Sequence, residues 1–552
     1  MKLMKYVLTW SFLFLIGWSS MKAQNRYHTH PELTTEMKNL VQVHPDIANL
    51  ISLGKTEGGR DIWALTVGKG ETGNKPGIAV VGGIDGRYVL GTEIAFSFAS
   101  RLIENADNSD ISSLLDKVTF YILPSVNPDA CSQFHASIQY ERTRNMNPTD
   151  NDRDFKTDED PFEDLNGDGL ITLMRVPDVT GAYITSKDDK RLMVKADLSN
   201  GETGQYRVWS EGIDNDQDGL YNEDDIGGVN FNNNFSFNYE EFGTEAGLNA
   251  VSEKESKAVA DFLYDRFNIY MVVSFGPQDN LGKPMKSNPR EQAQAGEDSQ
   301  QSFRSRRQRG PVTSIQKEDE QVNKLISDLY HKETGYTGAP ESTATPGNFA
   351  DWAYFHYGRY SFSTPGWWVS PEKELSPEAT LLKQAGENTG NLFVEWQPVE
   401  HPGFPGKTLE VGGIKPFALT VPNDSLLNGI IDSHYNFIIS SAQYHPDIEL
   451  VDVKVKNVEK DIYRISAKLH NRGVFATINE LGTRNSWVRM MTVELTSQGN
   501  LTFLSGQKKE ITNRLRGDEY REFNWLVRGE GEVNITAGAV NCGFDEVTLE
   551  LK

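Results

Sequence analysis

Gly77-Ile-Ala-Val-Val-Gly-Gly-Ile-Asp-Gly-Arg-Tyr-Val-Leu-Gly-Thr-Glu93 is the stretch whose reading decides the fold. An apolar run, Ile78 to Val81, enters a Gly-Gly turn. Beyond it, Ile94, Phe98 and Leu102 repeat at a helical period. The pattern predicts a strand, a loop at the carboxyl end of that strand, and a helix that covers the sheet. Loops in that position are where open α/β sheets place their chemistry, so Asp85 to Tyr88 are the first residues to weigh.

The surrounding chain supplies the rest of such a sheet. Leu33, Met37, Leu40 and Val41 follow a helical period, and Ile62 to Val67 is a β run. Val118 to Leu123 predicts a further strand, leaving through Pro-Ser-Val-Asn-Pro-Asp129. Ser252 to Tyr264 reads as helix, and Ile269 to Phe275 as a strand covered on both faces. Helix resumes near Glu318 to Lys332. Residues 145–230 form an acidic insertion. Residues 284–318, rich in Gln, Ser, Arg and Glu, read as a mobile loop in which Arg304, Arg306, Arg307 and Arg309 are a solvated charge run. After His445-Pro446 the period becomes two. Val451/Val453/Val455, Tyr463/Ile465/Ala467/Leu469, Val533/Ile535/Ala537 and Val547/Leu549/Leu551 predict a β-sandwich over residues 446–552.

The 552 residues allow one large domain, about 27–440, and a smaller one. Lys2 and Lys5 precede an apolar Tyr6 to Trp18 and a small-residue exit at Ala23, the pattern of a secretory signal peptide over residues 1–23. Secretion to the periplasm or beyond follows as an expectation, with no membrane span in the mature chain. Cys131 and Cys542 fall in different predicted domains and read as free thiols. A net charge of -23 argues against nucleic acid as a partner.

The opening stretch resembles the first metal-binding loop of zinc carboxypeptidases of the carboxypeptidase A/B superfamily, which reads Gly-Gly-Ile-His-x-x-Glu. The resemblance extends to Tyr27 to Trp63, Pro124 to Asp129, Gly228 to Phe235, Val272 to Pro277 and Tyr360 to Gly366. It implies a mixed-sheet α/β domain and names the residues that should hold zinc. Asp85 stands where the family has His, Tyr88 where it has Glu, and Gly276 where a later strand should supply the second His. A catalytic zinc needs about three protein ligands and an open position for water. Asp85 alone is a plausible donor, because a phenol near neutral pH stays protonated. Pro365 takes the place of the general base, and Asn233 that of the Arg that clamps a substrate carboxylate. Asn232 of that clamp is kept, and Arg142 or Arg144 could polarise a bound carbonyl. The expectation is a pseudo-peptidase without zinc that binds a peptide, a glycan-linked ligand or another envelope protein. The rival expectation is a working metallocarboxypeptidase with a non-standard site.

Calcium is expected in the insertion. Asp214, Asp216, Asp218, Asn222 and Asp225 occupy positions one, three, five, nine and twelve of an EF-hand-like loop, with Gly219 at six. Asp164, Asn166 and Asp168 begin the same way, and Asp150, Asp152 and Asp154 form a third oxygen-rich run. Surface Asx turns needing no ion would give the same composition. Tyr354, Tyr357, Tyr360, Trp367 and Trp368 could wall a cleft, but aromatic residues so spaced are more often core.

Overall fold

The computed structural model describes residues 27–150, 156–158, 160–215, 219, 221–222, 227–288, 312–342, 345–485 and 487–552. The predicted signal peptide, most of the predicted mobile loop with its four arginines, and Asp152, Asp154, Asp216, Asp218 and Asp225 lie outside the described residues.

A six-stranded mixed sheet runs in the order Ala48–Lys55, Asp61–Val67, Thr119–Leu123, Gly77–Val81, Ile269–Phe275, Tyr360–Thr364. The last four strands are mutually parallel; Asp61–Val67 pairs antiparallel with Thr119–Leu123, and Ala48–Lys55 antiparallel with Asp61–Val67. Strand Gly77–Val81 is buried at every position, as a strand with helices on both faces must be. Its side chains alternate between two cores. Ile78 and Val80 meet Phe98 and Leu102 of helix Leu90–Glu104, Tyr330 of Lys317–Thr334 and Phe437 of Asp424–Ala442. Ala79 and Val81 meet Val259 and Leu263 of Lys254–Tyr264 and Trp352 of Phe349–Phe355.

The Gly-Gly turn and Gly91 are explained by close approach. A Cβ on Gly82 would stand 2.3 Å from the Gly91 carbonyl oxygen, and one on Gly91 would stand 2.6 Å from the Phe275 Cβ. These glycines let helix Leu90–Glu104 sit directly on the ends of the central strands.

The acidic insertion contains more regular structure than its composition suggests. Leu173–Pro177, Tyr183–Thr185, Met193–Lys195 and Tyr206–Ser210 join Phe393–Val399 and Leu409–Ile414 in a second, antiparallel six-stranded sheet. Met174, Val176, Leu409 and Val411 are its buried core.

Residues 448–551 form two four-stranded sheets packed as a β-sandwich. Tyr463, Ile465, Ala467 and Leu469 point inward, as do Val533, Ile535 and Ala537. The first strand departs from the expected alternation. Ile448 and Leu450 are its buried residues, while Val455 is exposed. The pairing register shifts between Val451 and Lys454, where Asp452 adopts φ +52°, and such a bulge changes which face a side chain meets. The sandwich is tied to the first domain by buried polar contacts. Asp319 accepts hydrogen bonds from the backbone N–H of Glu480 (2.7 Å) and Leu481 (3.1 Å) and from the Tyr354 hydroxyl (2.8 Å). Among the described residues no helix is long and apolar enough to cross a membrane.

Candidate functional site

The loop after Gly77–Val81 folds back on itself. The Asp85 carboxylate, 1% exposed, accepts from the Arg87 backbone N–H (3.0 Å), Nε (3.0 Å) and Nη2 (2.6 Å). Both of its oxygens are therefore committed to a cation two residues away. Burial pushes the Tyr88 phenol up to about 12, so it stays protonated and is a poor metal ligand. Gly276, at the end of Ile269–Phe275, offers no side chain. A Cβ there would meet Ile84 at 3.5 Å, an ordinary contact, so the backbone does not demand glycine. Pro365 is buried just beyond Tyr360–Thr364. Zinc does not fit this donor set. Among the described residues no group of three His, Cys, Asp or Glu side chains could hold a metal ion.

The expected carbonyl-polarising arginines and the clamp positions are taken up by structural contacts. Arg142 is buried, and its Nε and Nη2 donate to the carbonyls of Arg144 (2.9 Å) and Asn145 (2.7 Å) in its own loop. Arg144 lies 3.6 Å from Glu245. Asn232 donates to Gln278 Oε1 (2.8 Å) and accepts from the Phe349 N–H (3.0 Å), pinning helix Phe349–Phe355 to the strand end beyond Gly276. Asn233 is half-buried. Tyr354, Tyr357, Tyr360 and Trp368 are buried core residues, and Trp367 is half-buried.

The sequence reading missed two carboxyl groups. Asp279 follows Gly276 on the same strand exit; burial raises it to about 6 against the Gly282 and Leu281 N–H groups that hold its Oδ1. Its Oδ2 is buried with no hydrogen-bond partner among the described residues. Asp129 accepts from Thr56 Oγ1 (2.8 Å), the Gly58 N–H (3.0 Å) and Arg60 Nη1 (2.8 Å), which locks the strand-exit loop to the preceding hairpin. Both follow strands already marked by sequence, so position was the available signal.

In the insertion, Asp164 Oδ1 accepts from the N–H groups of Gly167 (2.7 Å) and Asp168 (3.1 Å), and Oδ2 from Gly169 (2.8 Å). Asn166 donates to Asp168 (3.2 Å). That loop closes as an Asx-type turn on its own hydrogen bonds. Asp214 Oδ2 accepts from the Gly219 N–H (3.1 Å), whereas Asp214 Oδ1 and Asn222 Oδ1 are buried with no hydrogen-bond partner among the described residues. Asp150 lies at the end of the preceding described segment.

Comparison with known proteins bears on residues 33–168, which match a family model described as zinc carboxypeptidase. Residues 447–550 match one described as a domain of unknown function. Carboxypeptidase D of Rattus norvegicus is 32% identical over 150 residues, 26% of this chain and 10% of that protein. Carboxypeptidase E of Caenorhabditis elegans is 30% identical over 155 residues, 26% of this chain and 33% of that protein. The match thus spans from a tenth to a third of these relatives' length. Among solved structures, thrombin activatable fibrinolysis inhibitor covers 77% of this chain and 78% of its own at TM-score 0.40 and 16% identity. Carboxypeptidase A from Helicoverpa armigera covers 62% and 64% at TM-score 0.37 and 14% identity.

Proposed function

Because the chain carries a zinc carboxypeptidase-like domain, we propose that it is a secreted, non-catalytic relative that binds a peptide or glycan-linked ligand. The observation that carries this reading is the Asp85–Arg87 pair. The one ligand position that keeps a donor has spent it, while Tyr88 and Gly276 offer none at neutral pH. Hydrolysis through a metal-activated water needs an open metal coordinated by protein side chains and a base, and Pro365 supplies no base. The expected result is far less than one equivalent of zinc in purified protein, with no release of C-terminal residues from a peptide panel. Near-stoichiometric zinc lost to a chelator together with hydrolysis would overturn the proposal in favour of an active peptidase.

Docking to another envelope protein through the β-sandwich is a second reading. It is favoured by Ile511, Tyr520 and Phe544, each at least half exposed there.

Structural calcium belongs to the same proposal. Asp214 Oδ1 and Asn222 Oδ1, buried with no donor among the described residues, support it, since a cation would satisfy oxygens that no described N–H reaches. Millimolar calcium should then raise the melting temperature and EGTA reverse the gain. No shift in either direction would leave the loop a set of turns.

A further inference from the structure

Between the second sheet and the Tyr140 to Asn145 loop lies a cavity of about 450 Å3, within the range of small-molecule sites. Its walls are chiefly apolar. Tyr140 and Phe162, whose rings meet at 4.7 Å, share the lining with Phe393 and Trp396 of the second sheet. Neither Asp85, Tyr88 nor Gly276 lines it. Glu141 nonetheless lies within electrostatic reach of Asp85 and Arg87, so the cavity adjoins that loop without including it.

Four charged side chains reach this cavity: Glu141, Arg191, Glu378 and Lys415. Arg191 is already neutralised, with Nε 3.0 Å and Nη2 2.5 Å from the Asp189 carboxylate. Glu141 uses Oε1 to accept from the Phe417 N–H (2.8 Å). Phe417 is held there at φ +66°, a conformation that a bulky residue adopts only when its surroundings impose it. Among the described residues Glu378 and Lys415 form no side-chain hydrogen bond or ion pair, and Glu141 Oε2 receives no donor. The cavity therefore offers two carboxyl groups, each with an oxygen that accepts no hydrogen bond among the described residues, and one ammonium, set in aromatic and aliphatic walls. Burial raises the pKa of Glu141, and the Phe417 N–H and the Arg87 guanidinium oppose that rise.

We propose that this cavity binds an ammonium group attached to a bulky apolar side chain, as in a hydrophobic amino acid, free or at the amino terminus of a peptide. Glu141 and Glu378 receive the ammonium, the aromatic walls take the side chain, and Lys415 takes a carbonyl or carboxylate oxygen. A neutral apolar ligand would desolvate both carboxylates without compensation. A monoanion would face two like charges against one cation. A sugar would find few free hydrogen-bonding groups, because the apolar walls predominate.

The test is calorimetric titration of the full chain with L-phenylalanine, phenylalanyl-glycinamide and N-acetyl-phenylalaninamide. Both free amines should bind, and acetylation should weaken binding at least about tenfold. Tighter binding of L-phenylalanine would identify the free amino acid, and tighter binding of phenylalanyl-glycinamide the peptide terminus. Glu378→Gln and Glu141→Gln, near-isosteric changes, should each weaken the free amines while leaving the melting temperature unchanged. Lys415→Met should weaken L-phenylalanine more than the glycinamide. Equal binding of the acetylated compound, no heat with either amine at millimolar concentration, or unaltered binding in both glutamine variants would overturn the proposal. Zinc content and hydrolysis, measured on the same preparation, report on the peptidase question alone.

Discussion

Replacing Glu211 with alanine is expected to speed amide exchange at Leu165, Asn166 and Thr172 by roughly a hundredfold or more, while exchange in the central sheet stays unchanged. Glu211 is fully buried at the end of strand Tyr206–Ser210. Its Oε1 accepts from the N–H groups of Leu165 (2.7 Å) and Asn166 (3.3 Å). Its Oε2 accepts from the Thr172 N–H (3.0 Å) and Oγ1 (3.3 Å). One carboxylate thus fastens both ends of the loop that opens at Asp164. Burial of that carboxyl raises its pKa, and the three backbone N–H groups that it accepts oppose the rise. A buried donor left without an acceptor costs about 1–3 kcal/mol, and alanine strands several at once. A local loss of about 3 kcal/mol corresponds to the hundredfold change. Exchange is the appropriate measure because a chain of two domains need not unfold in a single transition. Unchanged protection across residues 164–172 would mean that the loop holds itself, by its Asx turns or by calcium.

Glu211 also marks where reading from sequence stops. The loops flanking it are visible as Asp/Asn-Gly spacings, but the residue that anchors them carries no local signature. Its partners are 39 to 46 residues away. The second sheet is hidden for the same reason. Tyr183–Thr185 and Met193–Lys195 are three residues long, too short for a period of two to register. Leu173–Pro177 pairs with Leu409–Ile414, more than two hundred residues on. By contrast, Gly77–Val81 and Ile269–Phe275 are buried at every position, so their apolar runs stand out without any knowledge of partners. The candidate site divides along the same line. Asp85, Tyr88 and Gly276 could be located because each lies at or just beyond a strand end. That Arg87 takes up Asp85, or that Arg142 turns back on its own loop, depends on rotamers and neighbours that spacing does not encode.

Acid should weaken the first domain through His434, and His434→Gln should remove that part of the pH dependence. His434 lies on the buried face of helix Asp424–Ala442, with Nδ1 2.8 Å from the Ile430 carbonyl and Nε2 3.3 Å from the Tyr330 hydroxyl. The ring packs against Phe275 at 5.8 Å between centroids. Burial lowers its pKa from 6.5 to about 4, although the Ile430 carbonyl favours the protonated form. Between those two values the unfolded chain binds a proton that the folded chain excludes. Stability contributed by the neutral ring is therefore complete above pH 6.5 and lost as pH falls toward 4. The full difference amounts to about 3 kcal/mol, at 1.36 kcal/mol for each pKa unit. Glutamine can still donate to Ile430 and accept from Tyr330 but does not titrate. Thermal melts of the two proteins at pH 7 and pH 4.5 should therefore show a larger acid-induced drop for the parent. Parallel drops would mean that His434 becomes protonated without unfolding, and would place the acid sensitivity in other groups.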